Sequence, residues 1–70
     1  MMPLSMIGIG NSGKILKISG SGEIRRFLKN LGFIEGREVT VLSDLGGDVI
    51  VGVLDSRVAI NRDMARHIYV

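Results

Sequence analysis

Glycine spacing constrains this chain more than any other feature. Ten glycines and one proline punctuate seventy residues into short runs, each of which must be read as a separate element. Gly8, Gly10 and Gly13 enclose a first loop, after which Lys14-Ile15-Leu16-Lys17-Ile18 reads as a β-type run. Gly20-Ser21-Gly22 ends it. From Glu23 the period changes, because Ile24, Phe27, Leu28 and Leu31 fall at i, i+3, i+4 and i+7, one apolar stripe of a helix over about residues 23–31. Ser21 stands where an N-cap is wanted and Gly32 where a C′ glycine belongs. By its spacing the stripe is expected in the core, together with Phe33.

The second half reads as a meander. Val39-Thr40-Val41-Leu42 is a strand, the segment Asp44–Asp48 a turn, and Val49–Leu54 the most β-branched run and the expected central strand. Asp55-Ser56 is a two-residue turn candidate before Val58-Ala59-Ile60. Asn61 can cap a single helical turn through Ala65, and Ile68-Tyr69-Val70 closes the chain. Parallel crossovers need more chain than this, so the expectation is a mainly β fold: one domain over residues 1–70, a small antiparallel barrel of about five strands with one inserted helix.

With 46% apolar and 23% charged residues and a net charge of +2, the chain can bury enough surface to fold. A domain of this size hides only about 60% of the surface of its unfolded chain, which leaves little room for a buried active site. The absence of cysteine removes disulfides, thiolate metal sites and cysteine nucleophiles, and suits a reducing compartment, so a cytoplasmic protein is expected. MMPLSMIGIG lacks a basic n-region and is interrupted by Pro3, Ser5 and glycines, so it is no signal peptide. No run approaches the roughly 18 apolar residues of a membrane span.

Gly8-Ile9-Gly10-Asn11-Ser12-Gly13 matches GxGxxG, and with Lys14 it matches most of a P-loop. Both motifs require the last glycine to open a helix whose amides face phosphate. Here a strand follows. The pI of about 9.5 rests on nine basic against seven acidic residues, dispersed along the chain, and by itself points to no nucleic acid.

The segment Leu31-Gly32-Phe33-Ile34-Glu35-Gly36 with Val39 following sets a helix stop, an aromatic, a turn glycine and a strand start at fixed distances. Together with Pro3-Leu4-Ser5, Gly13-Lys14-Ile15, Gly47-Asp48 and the closing Ala65, Ile68 and Val70, it resembles the FeoA family. The chain departs from that family's pattern at Val49, where proline is frequent, and at Asp55-Ser56, where glycine is frequent. The resemblance implies an SH3-like barrel acting as a small non-catalytic cytosolic accessory protein of bacterial ferrous iron uptake. Its implied partner is the cytosolic part of a membrane ferrous iron transporter that carries a GTPase domain. Similar domains end certain metal-dependent repressors, so a metal-responsive regulatory domain is one alternative, although seventy residues leave no room for a helix-turn-helix.

A hydrolase triad needs serine, histidine and an acid in one pocket, and the only histidine is His67 near the C-terminus; no enzyme activity is expected. Asp63 lies four residues before His67, so a helical turn would bring the two to one face. One His and no Cys do not build a closed transition-metal site, and the pair allows weak divalent-metal binding with no required cofactor. Arg25, Arg26 and Lys29 form the charged face of the helix, and Leu45 stands in a polar, glycine-rich loop with no period to bury it; these four are the candidate partner-binding residues. A small barrel that binds nucleic acid is the other alternative, but it would want several exposed aromatics. With Phe27 and Phe33 assigned to the core, Tyr69 alone is left, and no nucleic-acid partner is expected. Homo-oligomers are left open.

Overall fold

The computed structural model describes residues 1–70. The run Lys14–Ile18, expected to be one strand, divides into β1 (Ser12–Lys14) and β2 (Lys17–Ile18), which belong to different sheets. The residues between them bond to different parts of the chain. Ile15 donates its N–H to the Arg37 carbonyl at 2.9 Å, and Leu16 donates to Tyr69 at 2.7 Å. Ile15 is buried and Leu16 exposed, so the backbone turns a corner between sheets while keeping its amides paired. Gly13 marks the close crossing, since a Cβ there would lie 2.8 Å from the Val70 Cβ.

Three longer strands form the body of the barrel: β3 (Glu38–Leu45), β4 (Asp48–Val53) and β5 (Ser56–Asn61). The larger sheet is antiparallel in the order β1-β3-β4-β5, which makes both β3 and β4 interior. Alternation sends Val39, Val41, Val49, Val51, Val53 and Ile60 into the core. β3 outruns the expected Val39–Leu42, because Asp44 and Leu45 pair with Val49 and Asp48. The turn shrinks accordingly to Gly46-Gly47. A bulge between Val41 and Ser43 shifts the register and pushes Leu42 outward. The next turn is Leu54-Asp55 rather than Asp55-Ser56, because Val53 pairs with Ser56. Both turns place their first central residue at positive φ, +74° at Gly46 and +55° at Leu54, and Leu54 is the one non-glycine residue of the chain in that region.

Helix α1 (Gly22–Asn30) begins where Ser21 Oγ accepts the Ile24 N–H at 3.2 Å. It ends in a Schellman motif, Gly32 N–H to the Lys29 carbonyl and Phe33 N–H to the Leu28 carbonyl, both at 3.0 Å, with Gly32 at φ +107°. The stripe is shallower than its period implies. Leu28 is buried, Ile24 and Leu31 pack partly against the core, and Phe27, expected inside, is 48% exposed. A short helix lying across a thin barrel meets the core along a single line.

A second helix, α2 (Arg62–Ala65), is capped by Asn61 Oδ1 accepting the Met64 N–H at 2.8 Å. β6 (Ile68–Tyr69) then pairs antiparallel with β2. The barrel thus has six strands in two sheets, where about five were expected. Its twelve buried residues, from Leu4 to Ile68, make one apolar cluster.

Candidate functional site

With Leu28 turned inward, α1 presents Arg25, Arg26 and Lys29 to solvent. Arg25 and Lys29 stand on one wall of a shallow groove of about 370 Å³, and Phe33, Ile34 and Glu35 from the turn after the helix form another, with Ile18 at its base. The Schellman motif creates this groove by folding the chain sharply back beside the last helical turn. Neither of the two ion pairs of the molecule involves these cations; they are Arg62 with Asp44 and Arg66 with Asp63. Like charges at i and i+4 cost an isolated helix about 0.2–0.5 kcal/mol. The Arg25 and Lys29 pair therefore has no direct ion-pair partner in the fold, and Glu35 across the groove is the one carboxylate that shares its lining. The groove offers the cationic donors Arg25 and Lys29 and the carboxylate of Glu35 beside the apolar surface of Ile18, Phe33 and Ile34.

Arg26 shares the helix but not the lining of that groove. On another flank of α1, Phe27 and Ile24 meet Met64 of α2 in a second depression of about 370 Å³, rimmed by Ser21 and Glu23. The place of Phe27 in the apolar stripe gives no sign in the sequence of its exposure. The exposed Ile34 was hidden in the turn.

Leu45 lies at the end of β3, 70% exposed, and lines neither hollow. Its hairpin is tied to α2 by Arg62, whose Nη2 approaches both Asp44 carboxylate oxygens at 2.5 and 2.6 Å and donates to the Gly46 carbonyl at 3.2 Å. Leu54, on the turn at the opposite end of β4, is equally exposed at 70%. The candidate partner residues thus divide between two places, the α1 face and a hairpin end.

Asp63 and His67 take different neighbours. The Asp63 side chain is 85% exposed and faces Arg66 Nε at 3.7 Å, whereas His67 Nδ1 shares a hydrogen bond with Ser19 Oγ at 3.0 Å. His67 also borders a hollow of about 510 Å³ with Ser5, Ser19, Arg66 and Tyr69, to which Asp63 does not contribute. Nowhere do three His, Asp or Glu side chains gather closely enough to hold a metal ion. No helix is long and apolar enough to cross a membrane.

The FeoA domain model matches residues 2–70. Comparison with curated proteins returns no match. Among solved structures, a crystal structure of an iron uptake regulatory protein (FeoA) is similar at 31% identity and a TM-score of 0.89, over 96% of this chain and 91% of that one. The zinc complex of Stenotrophomonas maltophilia FeoA, described as a prokaryotic SH3 domain protein, is similar at 27% identity and a TM-score of 0.83, over 99% of this chain and 88% of the other. A manganese-dependent transcriptional repressor in complex with manganese shares the fold at a TM-score of 0.88 and 20% identity, with 96% of this chain covering 34% of the repressor.

Proposed function

The chain belongs to the FeoA family, and from that membership we propose that it is a non-catalytic cytoplasmic accessory protein of ferrous iron uptake that docks on the cytosolic GTPase domain of a membrane ferrous iron transporter. The observation that carries this reading is the pair Arg25 and Lys29, cations without an ion-pair partner that line a groove with the apolar side chains of Ile18, Phe33 and Ile34 and a single carboxylate, Glu35. An acidic segment of the partner seated there would satisfy both charges while covering Ile34. Arg26 would add to the field that steers the encounter, and Leu45 would supply a separate apolar contact from the hairpin end. The Stenotrophomonas relative is described as a candidate ferrous iron transport activating factor, which fits a module that works by contact.

Iron is cargo in this reading and not a resident cofactor. Asp63 and His67 supply at most two ligands, and they face different neighbours, so the chain is expected to bind divalent metal weakly on its own. The direct test immobilises the transporter's cytosolic GTPase domain and flows the chain over it. Saturable one-to-one binding is expected. Absence of binding at the highest soluble concentration would overturn the proposal.

A further inference from the structure

The far edge of the four-stranded sheet is uncovered. β5 pairs with β4 on one side only, in an unbroken register from Asp48 opposite Asn61 to Val53 opposite Ser56. Just beyond, Arg62 donates its N–H to the Gly47 carbonyl at 3.0 Å, and this sets the phase of the ladder. Ser56, Val58 and Ile60 therefore turn their peptide groups toward β4, and Arg57, Ala59 and Asn61 turn theirs outward. The outward N–H groups and the carbonyls of Arg57 and Ala59 have no hydrogen-bond partner in the protein, whereas the Asn61 carbonyl is the first acceptor of α2. Exposed edges are normally blunted by charged side chains, proline, a bulge or a covering segment. Ser-Arg-Val-Ala-Ile-Asn carries one charge, Arg57 near its start, with no proline or bulge, and at six residues it is twice the length of β1 on the opposite edge.

We propose that the β5 edge is a self-association surface, pairing antiparallel with β5 of a second copy about a two-fold axis through Ala59. Outward groups must meet outward groups, which limits the registers. Centring on Ala59 sets Arg57 opposite Asn61 of the second copy at both ends, so that the Ala59 and Asn61 N–H groups of each copy find free carbonyls, about four bonds in all. Centring on Val58 leaves Asn61 outside the ladder. Centring on Arg57 opposes two guanidiniums, a destabilising arrangement. The side chains support the Ala59 axis. Ala59 is exposed and small, and its cross-strand neighbour Ile50 is half-buried on the same outer face. The dimer joins Ile50, Ala59, Ala59 and Ile50 into one apolar row and the two four-stranded sheets into one continuous sheet.

Sedimentation velocity of the full chain from micromolar to millimolar concentration tests this. The expected result is a concentration-dependent shift from 7.6 kDa toward about twice that mass. Ala59→Lys opposes two ammonium groups across the axis, and Ala59→Pro removes an N–H that the β4 ladder does not use. Each is expected to raise the dimer dissociation constant at least tenfold. Far-UV circular dichroism reports that the variants are folded. A parent chain that stays monomeric at millimolar concentration overturns the proposal, as does a folded Ala59→Lys variant that dimerises like the parent.

Discussion

Leu28 is wholly buried, while Phe27 beside it keeps 48% of its surface. Truncation therefore has different consequences at the two positions. Leu28→Ala is expected to cost about 2–5 kcal/mol, combining lost transfer energy with a cavity that a thin core closes poorly. Phe27→Ala should cost about 1 kcal/mol or less, in line with substitutions near the surface. Urea unfolding of both variants checks the contrast, and similar midpoints would place the helix on a different face. The stripe's direction was legible from its period, but its depth was not, since depth depends on how wide a barrel the helix covers. Leu54 makes a second case. Left-handed backbone costs a non-glycine residue roughly 1–2 kcal/mol, and Leu54 holds φ +55° with its side chain exposed. Leu54→Asn, which tolerates that region, should raise the melting temperature by a few degrees, about 4–8 °C for each kcal/mol gained in a domain of this size. A lower melting temperature would mean that the leucine side chain contributes packing that offsets the strain.

The elements that were legible are those whose signals are local. Ser21, Gly32 and Asn61 are recognisable because a cap bonds to amides or carbonyls within a few residues of itself. Asn61→Ala should accordingly lose about 1 kcal/mol, measured by chemical unfolding, as α2 gives up its bond to the Met64 N–H. An unchanged stability would show that packing of Ala65 alone holds the turn. Lys14–Ile18 was illegible for the opposite reason. Its division into β1 and β2 is set by Glu38, opposite Lys14, and Tyr69, opposite Lys17, residues far along the chain, and no local period records which partner an amide will find. Hairpin boundaries erred in the same way. Residues that look like turn formers, Asp44, Asp48 and Ser56, were drawn into ladders once the pairing of β4 with β3 and β5 fixed two-residue turns.

At the scale of the whole molecule, twelve buried residues exhaust the core, and function is left to the surface. The α1 cations were legible as candidates because charge on one helical face can be read from the sequence. The groove that gives them a setting was not, since it depends on how the chain folds back after Gly32. Metal offers one boundary to this account. Calorimetric titration of the chain with zinc or anaerobic ferrous iron should give only weak binding, whereas a submicromolar one-to-one site lost in His67→Ala would require ligands from a second chain. The central claim is that the molecule acts by contact through the α1 groove. Its most direct test is the kinetics of binding to the immobilised GTPase domain at two salt concentrations, for the parent, Arg25→Glu with Lys29→Glu, and Leu45→Ala. The account predicts that charge reversal lowers the association rate at least tenfold at low salt and flattens its salt dependence, that Leu45→Ala shortens the lifetime of the complex, and that neither shifts the melting temperature by more than a few degrees. Parent-like association by the charge-reversed variant would contradict it and move the docking face away from α1.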